Sequence, residues 1–277
     1  MFINRKNFLI KMDEPVVSAD IFVELASDTR ISMLQMLQTN SCKASNISKE
    51  LNLTAQEVHR NVERLTESNL MTKRTDGFLT LTSYGKIIIH QLSTFSFLQE
   101  NQDYFLSHDV EYLPEKFIRR LGDLHNCYLV TGTFVLLEKW RKIKNDANEY
   151  VKVITSEVPP DFFRILVEKA SKNITVFQIH GENTIIPISL KEELSSTKLR
   201  KLVLDKKLQR KMIKDVKIAG ITNEKESAIS FPDLNGTSDI DHGFASSDPQ
   251  FHEWVNDYFE ECWSNSDDYH ISKLKIE

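Results

Sequence analysis

The chain has 277 residues, of which 40% are hydrophobic and 27% charged, with only 8 Gly and 7 Pro, which excludes a low-complexity protein and allows two domains. The formal net charge of −5 is uneven, because residues 139–217 carry 18 Lys and Arg against 10 Asp and Glu, whereas residues 224–277 carry 3 against 13. This asymmetry favours complementary neighbouring surfaces over a nucleic-acid patch.

The amino-terminal part of the chain predicts an extension followed by two helices. Residues 1–15 show no clear periodicity, and we expect an extension there. From Val16 to Gln38 the apolar spacing predicts two helices, with Ser27 and Asp28 as a cap between them. These helices are expected to complete a three-helix core beneath the next helical segment.

The segment that follows contains a strong helix-start signal. Ile47, Leu51 and Leu53 form one apolar face, and residues 54–57 read Thr-Ala-Gln-Glu. Ser/Thr-x-x-Glu is a capping box, in which each end of the motif satisfies a backbone donor of the other. A new helix is therefore predicted to begin at Thr54.

The two sides of this helix differ in character. Val58, Val62 and Leu65 recur at helical spacing, so we expect them to point inward. The opposite side is polar. It carries Arg60, whose side chain stays charged, and other long side chains that can form hydrogen bonds. Its members are Gln56, His59, Arg60, Glu63 and Glu67.

Two short β-type runs come next. Residues 70–74 and 78–82 flank Thr75-Asp76-Gly77, and Asp-Gly at such a position is a strong hairpin signal because Gly accepts a positive φ. Helices joined by a turn and followed by a ribbon predict a winged helix-turn-helix over residues 16–84.

In a winged helix the second helix can enter the major groove of DNA while the ribbon lies against phosphates. We expect Gln56, His59 and Arg60 to face base edges, and Arg64, Lys73 and Arg74 to face the backbone. The candidate DNA-contacting residues are Ser45, Thr54, Gln56, His59, Arg60, Arg64, Lys73 and Arg74. Winged helices also serve as protein-contact modules, so that alternative stays open.

The charge of this region is weak for a groove binder. Residues 43–86 contain seven cations and five anions, a net of +2, so one copy should bind DNA poorly and in a salt-sensitive way. We therefore expect a homodimer, built on a linker helix over residues 85–108. Its apolar positions, Ile87, Ile88, Leu92, Phe95 and Leu98, would pair with a twin helix or pack on the carboxy-terminal domain.

Residues 109–270 are predicted to form an α/β domain, because strand-like and helical runs alternate. The predicted helices cover Leu113–Leu121, Thr133–Arg141, Pro160–Ser171 and Asp248–Trp263. The predicted strands cover Cys127–Thr131, Tyr150–Thr155, Ile174–Ile179, Ile185–Leu190, Val216–Thr222 and Ser227–Phe231. Three cysteines, Cys42, Cys127 and Cys262, form no Cys-x-x-Cys, which disfavours zinc ribbons and disulfide frameworks.

In α/β sheets ligands collect at the carboxyl ends of strands. This rule nominates an effector site at Thr131, Gly132 and Thr133, which follow one strand, and at Thr155 and Ser156, which follow another, with Glu157 beside them. Arg119 and Arg120 are nearby in sequence and could meet an anion. Each of these residues could equally be an ordinary loop or surface residue.

Metal and catalytic sites find little support. Asp239, Asp241, His242, His252 and Glu253 are possible metal ligands, but their spacing fits no recognised loop, so we predict no metal and no cofactor. The chain has no phosphate loop and no Gly-x-Ser-x-Gly motif, so we predict no enzymatic activity. An enzyme built on the α/β domain remains the weaker alternative.

Several tracts of the second half resemble a known archaeal family. The tracts are Arg119–Leu124, Val216–Gly220, Ile229–Gly236, Asp239–His242, Phe251–Trp254 and Tyr258–Trp263. Their most specific features are Phe-Pro-Asp-x-x-Gly, Asp-x-Asp and the terminal Trp-x-x-x-Tyr-Phe-x-x-x-Trp series. They are similar to those of ArsR-like winged-helix transcriptional regulators whose carboxy-terminal domain was first named for a methanogenesis regulatory protein.

The resemblance implies a sequence-specific DNA-binding regulator of archaeal origin with a domain that senses a ligand or partner. The family has no settled ligand, so it assigns no binding residue here. The predicted fold class is α+β, with an amino-terminal winged helix, a linker helix and a sensor-like α/β domain. The predicted partners are double-stranded DNA, a second copy of the chain and a small-molecule effector. No apolar run approaches a membrane span and no signal peptide is recognisable, so we expect a cytoplasmic protein without a membrane partner.

Overall fold

The computed structural model describes residues 19–277. The chain divides into two compact units, with the boundary between Leu92 and Ser93. The fold is α+β, as predicted. The predicted extension over residues 1–15 lies outside the described residues. Within the described part of the chain, no helix is both long and apolar enough to cross a membrane.

The first unit begins with four helices. They are α1 (Ala19–Leu25), α2 (Asp28–Thr39), α3 (Ala44–Glu50) and α4 (Ala55–Glu67). The predicted break between α1 and α2 is confirmed, because Ser27 is the N-cap of α2 and its side chain accepts a backbone hydrogen bond.

The core of the first unit joins these helices to the ribbon. Leu34, Ile47, Val58 and Leu65 are fully or almost fully buried, as the spacing predicted for the last three. Val62 was also predicted to point inward, but it is only partly buried. Asn61 is buried instead, at 5% exposure, because its Nδ2 donates a hydrogen bond to the carbonyl oxygen of Glu57 at 3.0 Å.

The predicted hairpin is confirmed. Strand β1 (Met71–Lys73) pairs antiparallel with β2 (Leu79–Leu81), with Thr72 opposite Thr80. The turn contains Gly77 at a φ of +84°, which is the left-handed conformation that the Asp-Gly pair predicts. The ribbon and the helices before it make a winged helix-turn-helix.

Where the sequence predicts one helix over residues 85–108, the structure has two. Helix α5 runs over Ser83–Glu100 and α6 over Gln102–Ser107. They are separated by Asn101, whose backbone leaves the helical conformation and whose Nδ2 donates to the carbonyl oxygen of Phe97 at 2.9 Å. The change of backbone conformation at Asn101 ends α5 and allows α6 to begin as a separate helix.

The second unit alternates helices and strands. Its helices are α7 (Glu115–Ile118), α8 (Thr133–Asp146), α9 (Pro160–Ser171), α10 (Lys191–Leu194), α11 (Thr197–Leu204) and α12 (Pro249–Ser264). Its strands are β3 (Tyr128–Thr131), β4 (Tyr150–Glu157), β5 (Thr175–Ile186), β6 (Leu208–Ile213), β7 (Ala219–Asn223), β8 (Ser227–Ser230), β9 (His242–Ser246), β10 (Asp267–Asp268) and β11 (Lys275–Ile276).

Within residues 93–277 these strands form one mixed sheet of nine strands, in the order β10-β6-β5-β4-β7-β8-β9-β3, with β11 beside β5. The pairs β4–β5 and β5–β6 are parallel, whereas β7, β8, β9 and β3 continue antiparallel from β4. Consecutive residues of a strand point to opposite faces, so Val153 belongs to a core with α8 and α9, and Ile154 to a core with α12.

Three predicted elements differ from the structure. The strand predicted at 174–179 continues to Ile186 as β5, because Ile185 gains ladder partners in Glu157 and Lys275, whereas residues 188–190 of the second predicted strand form a 3₁₀ turn. The helix predicted over 113–121 is the single turn α7 followed by a 3₁₀ turn at Leu121–Leu124. Strands β6 and β9 were not predicted.

Candidate nucleic-acid interface and ligand cavity

The capping box at the start of α4 is present. The backbone N–H of Thr54 donates to Oε2 of Glu57 at 2.8 Å, and Oγ1 of Thr54 accepts from the backbone N–H of Glu57 at 3.2 Å. Asn52, in the turn between α3 and α4, has a φ of +51°. The reciprocal bonds fix the first turn of α4, which carries the candidate base-reading side chains.

The polar side of α4 is exposed. The side chains of Gln56, His59 and Arg60 lie on the surface, and 77% of the His59 side chain is exposed. Ser45 on α3 and the capping Thr54 are exposed as well. The structure therefore brings donors and acceptors of the kind that read base edges to one accessible helix face.

The ribbon adds exposed cations. Lys73 ends β1 and Arg74 opens the turn, where its Nη2 lies 2.9 Å from Oδ2 of Asp76. Lys43, just before α3, lies 5.5 Å above the ring of Phe78. Exposed ion pairs of this kind are weak, so Arg74 can exchange its carboxylate for a phosphate at little cost.

Arg64 is differently placed from the other predicted backbone contacts. Its Nε and Nη2 lie 3.1 and 2.6 Å from the two carboxylate oxygens of Glu24 on α1, a fork geometry. The hydrogen bond from Arg64 lowers the pKa of Glu24, with a further contribution from Arg30. Arg64 thus ties α4 to α1, and its charge is partly neutralised.

A compact joint attaches the ribbon to the end of α4. Oγ1 of Thr82 donates to the carbonyl oxygen of Asn69 at 2.6 Å and accepts from the backbone N–H of Gly85 at 2.9 Å. A Cβ atom on Gly85 would lie 1.9 Å from the carbonyl oxygen of Leu70. Only glycine at position 85 allows α5 to approach the backbone of Leu70 this closely. The sequence pattern did not predict this requirement.

The second unit contains a cavity at the carboxyl end of β4, between α8 and α9. Its volume is about 50 Å³, several times the space of roughly 10–15 Å³ that one water requires. The apolar residues of its wall are Leu136, Leu137, Trp140, Val153, Val158, Pro159, Phe162, Phe163, Leu166, Ala219 and Ile240. The polar residues of its wall are Lys144, Thr155, Ser156, Glu157, Gln178, Ser238 and Asp239.

Lys144 is the most unusual member of this wall. It is 1% exposed, and its Nζ makes no hydrogen bond to any described residue. The Nζ atom lies 3.6 Å from the ring centroid of Phe162 and 5.4 Å from that of Trp140. Burial lowers the pKa of Lys144 well below its ordinary value, against an attraction from Asp161 and with a repulsion from Arg141.

Three further polar atoms of the cavity wall are buried without a hydrogen-bond partner among the described residues. They are Nε1 of Trp140, Oε1 of Gln178 and Oγ of Ser238. Gln178 lies opposite Arg210 of β6, whose Nε and Nη1 also lack a partner in the described chain. Native interiors leave few such groups unsatisfied, so their concentration here makes the cavity a candidate ligand site.

The predicted effector residues divide between two places. Thr155 and Ser156 line the cavity, with Glu157 beside them. Thr131, Gly132 and Thr133 lie at the end of the edge strand β3, which is separated from β4 by three strands, and they are outside the cavity wall. There the backbone N–H of Gly132 donates to the carbonyl oxygen of Asp241 at 2.7 Å.

Arg119 and Arg120 also lie outside the cavity wall. Arg119 is exposed, and its Nη2 lies 2.5 Å from Oε1 of Glu115. Arg120 pairs with Asp123 at 2.8 Å and with Asp257 at 2.6 Å. Neither guanidinium is directed to the polar atoms described above.

A hydrogen-bonded bridge borders the cavity at Asp239. Oδ2 of Asp239 lies 2.7 Å from Nε2 of His108 and 3.0 Å from Nδ1 of His242, while Nδ1 of His108 faces the carbonyl oxygen of Tyr104 at 2.7 Å. Burial by itself raises the pKa of Asp239, but the hydrogen bonds from His108, the Asp241 N–H and His242 hold it below its ordinary value.

The residues of this bridge differ from the possible metal ligands that the sequence suggests. Asp239 and His242 come together with His108, and their ligand atoms lie within 4.8 Å of one another. His252 lies elsewhere, with Nε2 at 2.6 Å from the carbonyl oxygen of Asn223, and Glu253 is exposed. Because one carboxylate oxygen already bonds both histidines, we interpret the three side chains as a structural bridge from α6 to the cavity wall.

No protein-family model matches the sequence, and no curated protein matches it. Among solved structures, TrmBL2, described as an archaeal chromatin protein with a novel mode of DNA binding, has a TM-score of 0.41 and 10% identity over 91% of this chain and 100% of its own. HlyU from Vibrio cholerae has a TM-score of 0.26 and 22% identity over 28% of this chain and 88% of its own.

The dimethyltransferase RosA from Streptomyces davawensis has a TM-score of 0.25 and 10% identity, over 70% of this chain and 64% of its own. Likenesses at these scores carry no argument about this chain. The resemblance to the archaeal regulators therefore stays a prediction, and the winged helix rests on the helices and strands described above.

Proposed function

We propose that this chain is a DNA-binding transcriptional regulator whose second unit takes up a small effector. The observation that carries the proposal is the capped helix α4, which presents Gln56, His59 and Arg60 on one exposed face beside the cations of a two-stranded ribbon. In this arrangement α4 lies in a major groove and the ribbon contacts phosphates.

The proposed assembly is a homodimer. The net charge of only +2 over residues 43–86 gives one copy a weak grip on DNA, and two copies double the footprint. Helix α5 leaves Ile87 and Phe95 about 60% exposed, whereas Ile88, Leu92 and Leu98 pack partly against cores of their own chain. A second copy of α5 is the occupant that we assign to the exposed pair.

The proposed coupling uses the bridge at Asp239. Ser238, Asp239 and Ile240 form part of the cavity wall, so an occupant that repositions them also changes the support of His108 at the end of α6. The effector would thereby bias the chain between states that bind DNA well and poorly.

The test is a binding titration of the full chain with duplex DNA from the region upstream of its own gene, beside a shuffled duplex of equal length. We expect at least about tenfold tighter binding to the upstream duplex at physiological salt. Equal binding to both duplexes would favour a protein-contact module instead. Sedimentation of the wild type and Phe95→Ser tests the dimer, and a wild-type monomer would contradict that part.

A further inference from the structure

We propose that the cavity binds a small carboxylic acid with an apolar body, and that Lys144 and Trp140 hold its carboxylate. The inference rests on the proposed function only in naming this ligand as the effector. It stands on the chemistry of the cavity wall, which combines an apolar surface with unpaired donors.

The two donors are placed together by helix geometry. Trp140 and Lys144 are four residues apart on α8, so they lie on the same face one turn apart. Indole Nε1–H and an ammonium donate hydrogen bonds and accept none. Both atoms are buried without an acceptor among the described residues, so the ligand must supply oxygen acceptors at this end of the cavity.

The surrounding charges select an anion over a cation. The Nζ atom of Lys144 has no hydrogen-bond partner among the described residues. Arg210 lies opposite Gln178 on the neighbouring strand β6, and its Nε and Nη1 atoms also lack a partner there. The two carboxylates of the wall do not offset them, because Glu157 is exposed and Asp239 already accepts from His108, His242 and the Asp241 N–H. A cationic ligand would therefore find no free carboxylate here, whereas an acid can give its proton to the Lys144 amine and pair with the resulting ammonium.

The apolar remainder of the wall limits how polar the ligand can be. Eleven wall residues are apolar, and the cavity is only about 50 Å³. A phosphate ester carries more charge and needs more donors than this wall offers, whereas a hydrocarbon or an alcohol leaves one or both buried donors unsatisfied. A monocarboxylate with a short aliphatic body satisfies both requirements.

The other two unpaired atoms fit the same occupant. Oγ of Ser238 can donate to the second carboxylate oxygen, and Oε1 of Gln178 can accept from the acid proton of a ligand that enters in its neutral form, until that proton moves to Lys144. A neutral acid that meets the Lys144 amine transfers its proton there and leaves an ammonium-carboxylate pair. Ser238 neighbours Asp239, so the ligand would touch the loop that the bridge to His108 supports.

Isothermal titration of the full chain with acetate, propionate and butyrate tests the proposal, with 1-butanol as the uncharged counterpart of butyrate. We expect at least one acid to bind, and butyrate to bind about tenfold or more tightly than 1-butanol. Lys144→Met should weaken acid binding about tenfold or more. The control Lys142→Met, on the exposed side of the same helix, should bind acid like the wild type.

Trp140→Phe removes the indole donor and keeps an aromatic ring. This second variant is used if Lys144→Met does not fold, and it should weaken acid binding severalfold. Failure of all three acids to bind the wild type would overturn the proposal, as would undiminished acid binding by the folded variant. The same preparations are titrated with the upstream duplex. Specific DNA binding without acid binding refutes the carboxylate ligand alone, and acid binding without DNA binding refutes the regulator alone.

Discussion

The two units of this molecule place their polar groups in opposite ways. In the first unit the polar side chains of α4 and the ribbon are exposed, and the buried Asn61 is hydrogen-bonded. In the second unit Lys144 and Gln178 are buried with polar atoms that have no partner in the described chain.

This difference separates two kinds of recognition. An exposed, well-ordered face gives up little structure when it meets a large polyanion, and its affinity depends on salt. A buried donor without an acceptor destabilises its own domain until a ligand supplies one, so binding and stability are linked.

Gly85→Ala should destabilise the first unit. The new Cβ would lie 1.9 Å from the carbonyl oxygen of Leu70, so either α5 or the end of α4 must move. We expect a loss of about 3 kcal/mol in the free energy of unfolding of the first unit, measured by urea denaturation. Gly77→Ala is the control, since its Cβ meets nothing within 4 Å and only the positive φ is costly, about 1 kcal/mol. Similar losses in the two variants would contradict the close approach at Gly85.

Lys144→Met should stabilise the second unit, although it removes a charged residue. The unpaired Nζ is lost and an apolar chain fills its place, so we expect a gain of about 1–3 kcal/mol in the free energy of unfolding at neutral pH.

The pH dependence of this gain follows from the lowered pKa of Lys144. The folded amine resists protonation, whereas the unfolded amine binds a proton up to its ordinary pKa of 10.5. The penalty in the wild type is therefore present at neutral pH and shrinks as the pH rises through 10.5. Urea unfolding of both proteins at pH 7 and pH 10 checks this, and an equal gain at both values would contradict it.

His180 should make the second unit sensitive to acid. Burial, with a smaller repulsion from Arg210, lowers the pKa of His180 from 6.5 to about 3. Because the unfolded histidine takes up a proton below pH 6.5 and the folded one does not, stability falls as the pH drops from 6.5 toward 3. At pH 5 the loss is about 2 kcal/mol.

His180→Gln should remove this part of the acid sensitivity, measured as the change in the free energy of unfolding between pH 7 and pH 5. The exposed His270 provides the matched control His270→Gln, which should retain the wild-type dependence. A wild-type dependence in both variants would show that His180 is not the group responsible.

Local signals predicted the first unit well. The capping box of Thr54 and Glu57 and the turn at Gly77 each depend on residues within a few positions of one another, and both are present. The close approach of Gly85 to the carbonyl oxygen of Leu70 was not predicted, because no pattern in the sequence shows which backbone segment a helix will approach.

The cavity could be predicted only in part. The rule that ligands collect at strand ends found Thr155 and Ser156. It could not find Lys144, although a signal was present, since Leu136, Trp140 and Lys144 follow one another at four-residue spacing and the first two are core residues. The pairing of His108 with Asp239 joins residues 131 positions apart, which no local pattern contains.

In the proposed complex α4 reads bases while the ribbon contacts phosphates. The binding of Arg60→Ala and Lys73→Ala to the upstream duplex and to a shuffled one tests this division of roles. We predict that Arg60→Ala loses about tenfold in affinity for the upstream duplex and little for the shuffled one, whereas Lys73→Ala weakens both by a similar, smaller factor. Equal losses on both duplexes for the two variants would contradict the account.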